Sequence, residues 1–211
     1  MDDTMHALPS VNAERPQGWG NVLTRGVRTV AMQRIVPLTD GRDPGWVEVL
    51  WRPSLAGVSV PPLTAIRILA SEGRSTQLDR AMIDGVVNWR ARNADAGVLA
   101  INVNPHVLVQ PGFAGELLAL LEGVCLDPCA LVLEVSELFP GPLASALGAP
   151  IKQLRDAGIR IALDDVGAGH CHLDIAIGAG VDIIKLDAGL LDAVRESADP
   201  AHAERALEGL V

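Results

Sequence analysis

The chain has 211 residues, 49% of them hydrophobic and 3% aromatic, with a formal net charge of −9 and a pI near 4.9. This size and apolar content suit one globular domain with a substantial core, while the acidity opposes broad electrostatic binding to a DNA or RNA polymer or to anionic lipid. With few aromatics and no Tyr, a base-stacking platform for single strands is not expected, and an anionic substrate would need positive charge supplied locally, for example by a metal ion.

Residues 1–25 read as a loose N-terminal arm or linker, with Pro, Gly, Asn and Ser spread through it. The arm has neither the basic start nor the apolar centre of a signal peptide. No apolar run approaches the ~18 residues that span a bilayer. Residues 26–211 then alternate short β-like runs with longer amphipathic ones. The expected strands are 27–36, 46–51, 98–103, 130–135, 159–164 and 181–186, all rich in Val, Ile and Leu. Four are nearly continuous apolar stretches, the pattern of strands buried on both faces. Between them, 78–93 carries Leu78, Met82, Val86 and Trp89 at a helical spacing. Helices are also expected at 113–124, 143–157, 190–194 and from about 200 onward, with Gly158 as a terminator. Repeated strand–helix alternation implies right-handed crossovers and a parallel sheet, either an open doubly wound sheet or a (β/α)8 barrel. The absence of GxGxxG and GxxxxGK[ST] weakens the nucleotide-fold readings. Cys125, Cys129 and Cys171 lack a paired spacing, which points to reduced thiols and a cytoplasmic location.

The polar residues in these apolar strands carry the chemistry. Glu48 sits in WVEVLW, Asn102 in AINVN, Glu134 and Glu137 in LVLEVSE, Asp164 and Asp165 at the end of IRIALDD, and Lys185 in IIKLD. A lone buried carboxylate is costly, so buried acids are normally paired or metal-bound. In a barrel the C-terminal strand ends converge on one face, where active sites lie. Oxygen ligands there suit Mg²⁺ or Mn²⁺, and four carboxylates exceed the needs of one ion. Each residue also has a simpler reading: the aspartates as helix caps or turn formers, Glu134 and Glu137 as a surface pair, Lys185 as a salt-bridge partner of Asp187.

These motifs resemble the EAL family of cyclic-di-GMP phosphodiesterases, in the family's order and with similar spacing, over about residues 27–211. Glu48-Val49-Leu50 stands for the signature tripeptide, with Arg52 completing ExLxR. MQRIVPL is similar to the entry strand, giving Gln33; INVN, LEVSE, DDVGAG and IIKLD are similar to VNxS, LEITE, DDFGTG and IKID. The resemblance implies a modified TIM (β/α)8 barrel of the EAL type and hydrolysis of cyclic di-GMP to linear pGpG. It implies two divalent metal ions, Mg²⁺ or Mn²⁺. Glu48, Asn102, Glu134 and Asp164 would ligate one ion, and Asp165 the other with Asp164 able to bridge. Lys185 would hold or activate water, Glu137 would anchor the loop after the aspartates, and Gln33 and Arg52 would contact the dinucleotide. A homodimer is the family's common form.

The chain also departs from the pattern. DDVGAGHCHL replaces DDFGTGYSSL, putting Val166, Ala168, His170, Cys171 and His172 in the loop, and Pro53 follows ExLxR where Trp is usual. The barrel is expected to be C-terminally incomplete, because the segments for strands 7 and 8, with a further glutamate, do not precede Val211. A fragment is the first expectation; strands supplied by another chain, or a degenerate module that binds cyclic di-GMP or a protein without turnover, are the alternatives.

Overall fold

The computed structural model describes residues 30–37, 45–55, 57–136, 141–167, 180–199, 201, 202 and 205. In chain order the strands are β1 (Val30–Arg34), β2 (Trp46–Trp51), β3 (Ser54–Leu55), β4 (Val58–Ser59), β5 (Val98–Asn102), β6 (Leu131–Ser136), β7 (Arg160–Val166) and β8 (Ile183–Leu186). The helices are α1 (Pro62–Ser71), α2 (Ser75–Arg92), α3 (Pro105–Leu108), α4 (Phe113–Gly123), α5 (Gly141–Asp156) and α6 (Ala188–Arg195). Six strands form one sheet in the order β1-β2-β5-β6-β7-β8; β3 and β4 pair as a separate hairpin. β1 runs antiparallel to β2, and every later neighbour is parallel. The described sheet is open, with β1 and β8 at its two ends, as in an incomplete barrel rather than a closed one.

Alternation along the buried strands sorts their side chains into two layers. Leu99, Ile101, Leu131, Leu133, Val135, Ile161 and Leu163 belong to the main core with the helices. Ala100, Val132 and Ala162 form a smaller inner cluster, joined by Ile35, Val98 and Ile183. Two residues further along the same inner face come Asn102, Glu134 and Asp164, so the polar residues occupy the C-terminal end of a face whose other end is apolar.

The expected strands and four expected helices are all present, with ends shifted by a few residues except at β2, which spans 46–51 as expected. The expected strand over 27–36 is regular only over Val30–Arg34. Trp89 departs from its expected place in the helix stripe: Leu78, Met82 and Val86 are buried, but Trp89 is 37% exposed. Two helices were not expected. α1 begins at Pro62 behind Pro61, and Pro is favourable at a first helical position. α3 is a single turn capped by Asn104, whose side chain accepts from the His106 N–H at 2.9 Å. The helix expected from about residue 200 lies mostly outside the described residues.

Local devices hold the sheet in register. Gly158 has φ +105° and its N–H donates to Arg155 O at 2.9 Å, ending α5 as expected. Asp182 accepts from Arg155 Nε at 2.9 Å and from the Ile161 N–H at 2.9 Å, tying α5, β7 and the start of β8 together. At the entry to β5, Gly97 has φ +70°, and a Cβ there would lie 2.8 Å from Gly45 O. Gly97→Ala therefore meets both backbone strain and a backbone clash. Chemical denaturation should show a loss of more than about 1 kcal/mol; an unchanged midpoint would mean that this close approach is not needed.

Candidate active site

β8 places the Lys185 ammonium among three carboxylates from three other strands. Nζ lies 3.1 Å from Glu48 Oε2 (β2), 2.8 Å from Glu134 Oε2 (β6) and 3.0 Å from Asp164 Oδ1 (β7). The simpler pairing of Lys185 with Asp187 is not what forms: Asp187 caps α6, accepting from the Gly189 N–H at 2.7 Å. Asn102, at the end of β5, donates from Nδ2 to Glu48 Oε1 at 2.8 Å. Glu134 is 0% exposed, so it is no surface acid. The structure thus brings together Glu48, Asn102, Glu134, Asp164 and Lys185.

The remaining expected residues stand in different positions. Gln33 is exposed and is the direct antiparallel partner of Glu48. Arg52 is exposed and its guanidinium donates to the neighbouring Trp51 O at 3.2 Å. Asp165 is exposed and has φ +59°, uncommon for a residue with a side chain. It lies within a register shift between β7 and β8, over Leu163–Val166. Glu137 and the loop residues Ala168, His170, Cys171 and His172 lie outside the described residues.

The charges are strongly coupled. Burial pushes the Glu134 carboxyl up to about 8, against the hydrogen bond from Lys185, with Glu48 and Asp164 adding repulsion. Burial and then the charges of Asp164 and Asp187 raise Asp165 above the usual carboxylate range. For Lys185 burial acts downward, but the hydrogen bond to Glu134 and the charges of Glu134, Asp164 and Glu48 prevail and hold the ammonium firmly protonated.

Glu48, Glu134 and Asp164 each offer an oxygen within 4.8 Å of the others. Glu134 Oε1 is buried with no hydrogen-bond partner, so the cluster keeps an oxygen whose desolvation nothing in the described chain offsets. An all-oxygen donor set with such an orphaned carboxylate oxygen fits a hard divalent cation.

A second feature was not read from the sequence. A cavity of about 320 Å³ opens beside Asn102 and Glu134 and is also lined by Asp79, Asn104, His106 and Ser136. The signal for it is faint: Asp79 sits three residues before Met82, beside the buried stripe of α2. Burial pushes the Asp79 carboxyl up to about 7, partly opposed by the Asn104 N–H that it accepts. A raised folded-state value means a contribution to stability that is full below the unfolded value and is lost as pH rises through about 7. Asp79→Asn keeps an acceptor and removes the charge. Since the side chain is only half-buried, the expected gain is about 1–2 kcal/mol at pH 8 and none at pH 4. Urea titrations across that range check it, and a gain independent of pH would contradict it.

Residues 35–209 match the EAL domain family, and the chain belongs to that family. It is 27% identical over 154 residues to the probable cyclic di-GMP phosphodiesterase PdeA of Escherichia coli, covering 72% of this chain and 21% of that protein. It is 32% identical over 163 residues to the cyclic di-GMP phosphodiesterase PA2567 of Pseudomonas aeruginosa, covering 72% of this chain and 26% of that one. The chain therefore spans about a quarter of the length of these relatives. Among solved structures, the FimX EAL domain of Pseudomonas aeruginosa bound to c-di-GMP aligns with TM-score 0.77 and 20% identity over 91% of this chain and 77% of that one. The calcium and cyclic-di-GMP complex of Klebsiella pneumoniae BlrP1 aligns with TM-score 0.68 and 27% identity over 86% and 46%. Among the described residues, no helix is long and apolar enough to cross a membrane.

Proposed function

We propose that this chain carries the catalytic core of a metal-dependent phosphodiesterase that hydrolyses cyclic di-GMP to linear pGpG in bacterial second-messenger signalling. The observation that carries the proposal is the position of Lys185 within 3.1 Å of carboxylates from β2, β6 and β7, one of them fully buried. The two relatives named as cyclic di-GMP phosphodiesterases support the choice of substrate.

In this reading Glu48, Asn102, Glu134 and Asp164 would hold one Mg²⁺ or Mn²⁺, and Asp165, together with Asp164, would hold a second. Bound divalent ions would supply Lewis-acid polarisation of the phosphate and a lowered pKa for the attacking water. Lys185 orients that water and offsets negative charge as it develops on the phosphate. Gln33, facing the site from β1, and Arg52, at the end of β2, bind the dinucleotide and fix its register. Glu137 anchors the loop after Asp165. The cavity beside Glu134, with Asp79 and Asn104 as polar groups, belongs to the same substrate face. A cytoplasmic homodimer is the expected setting.

A second reading rests on Val166, which is buried where the family motif has Phe, and on the altered residues after it: a module that binds the dinucleotide without turnover. Chromatography of nucleotide products with Mn²⁺ or Mg²⁺, alongside calorimetry, separates the two. Hydrolysis to pGpG that stops on chelation with EDTA and returns with Mn²⁺ is expected. Tight binding without product would favour the receptor, and neither binding nor product would refute both.

A further inference from the structure

Lys185 reaches its three carboxylates from the least supported strand of the described sheet. β8 is 4 residues long, ends the sheet on its side and leaves Ile184 44% exposed. Core packing therefore specifies its register weakly, although a slip of one residue turns every side chain of a strand to the opposite face. The ladder to β7 is also interrupted where the site begins. Leu163 stands opposite Ile184 and Val166 opposite Leu186, so Asp164 and Asp165 together face Lys185 alone. Such a bulge, two residues against one, gives up pairing at that point. A contact outside the regular ladder has to keep Lys185 opposite Asp164.

We propose that Asp182 is the positioning residue that holds this register, acting through Ile161 at the start of β7. It engages Ile161 twice. The Asp182 N–H donates to Ile161 O at 2.8 Å, and Asp182 Oδ2 accepts from the Ile161 N–H at 2.9 Å. Arg155, from α5, fixes the direction of the carboxylate, with Nη2 2.6 Å from Oδ1 and Nε 2.9 Å from Oδ1 and 3.0 Å from Oδ2. The planar fork of a guanidinium orients a carboxylate in a way that a single ammonium does not. Ile161 precedes Asp164 by the same three positions by which Asp182 precedes Lys185. The clamp therefore brings both strands into the site in step, and Lys185 Nζ arrives 3.0 Å from Asp164 Oδ1. Beyond the bulge the Asp187 N–H donates to Val166 O at 3.0 Å, which closes the far end of the interrupted stretch. A carboxylate serving only as a surface partner of Arg155 would have no need of the Ile161 N–H. The consequence for turnover rests on the phosphodiesterase reading; the consequence for strand register does not.

Asp182→Ala in the full chain tests this against Asp182→Asn, whose side-chain oxygen still accepts from Ile161. In nuclear magnetic resonance spectra, the cross-strand contacts Ala162–Ile183 and Leu163–Ile184 should persist in the parent and in Asp182→Asn and weaken or vanish in Asp182→Ala. Amide hydrogen exchange over Ile183–Leu186 should rise about tenfold in Asp182→Ala while β6 is unchanged. Hydrolysis should lose about 10- to 100-fold in kcat with KM within about twofold, since Gln33 and Arg52 belong to β1 and the end of β2, and Asp182→Asn should recover most of the loss. If Asp182→Ala does not fold, Arg155→Met, which removes only the fork, should raise exchange over Ile183–Leu186 about threefold, and no rise overturns the proposal. Cross-strand contacts and exchange that Asp182→Ala leaves unmoved would also overturn it. So would a loss that Asp182→Asn does not recover, which would assign the effect to the charge paired with Arg155. An inactive parent would instead refute the phosphodiesterase reading, and the spectra and exchange would still decide the role of Asp182.

Discussion

Lys185→Met is expected to lower cyclic di-GMP hydrolysis by at least about 100-fold while tightening the binding of Mn²⁺. The two effects go in opposite directions for one reason. The ammonium occupies the space among the oxygens of Glu48, Glu134 and Asp164, at 2.8–3.1 Å, that a divalent ion would share. Removing it leaves three mutually repelling acids that gain more from a metal ion. The reaction then lacks a cation that stabilises developing charge on the phosphate, a loss typically worth 10²–10³ in kcat, ~2.7–4 kcal/mol. Met keeps the length and the apolar stem of the side chain, which limits the disturbance to packing. Without metal, the variant should melt at a lower temperature than the parent, and Mn²⁺ should recover most of that difference. Calorimetric metal titration, single-turnover kinetics and thermal melts read the three quantities. Near-normal turnover would remove Lys185 from the chemistry and leave it as a structural counter-ion.

Glu134→Gln should weaken divalent-metal binding and hydrolysis together, each by more than about 100-fold, without unfolding the protein. Loss of an outer partner of a metal ligand commonly costs 10–100-fold, and Glu134 lies at the centre of the donor set rather than outside it. Its side chain is 0% exposed, and burial acts against its charged form. The neutral amide has the same shape, accepts from Lys185, and does not carry the desolvation cost of a buried carboxylate. The metal-free variant should therefore be at least as stable as the parent. A large drop in metal-free stability with unchanged metal affinity would assign Glu134 to the fold and not to the site. Glu134→Ala is the less informative change, since it adds a cavity to the loss of charge.

The alternation of strands and helices, the two-sided burial of the central strands and the polar residues at their ends were all legible in the chain. Their cause is local: apolar periodicity dictates which residues turn inward, and Ala100, Val132 and Ala162 sit two residues before Asn102, Glu134 and Asp164 on the same face. The motif order was enough to identify the family. Local reading failed where a neighbour in space decides the outcome. Trp89 has the helical spacing of a core residue yet is exposed, because it borders a groove beside β1 rather than the centre of the sheet. Asp79 gives almost no sign in the sequence of the cavity it shares with Asn102 and Glu134.

The family, the strand and helix types and the inventory of oxygen donors are readable from the chain alone, because they follow from residue type and short-range spacing. That Lys185 pairs with three acids up to 137 residues away, and not with Asp187 two positions on, is visible only once the chain is folded. The register of the four neighbouring strand pairs from β2 to β8 brings those side chains to one point, and pairing across a sheet is set by the packing of the whole core, not by any one strand.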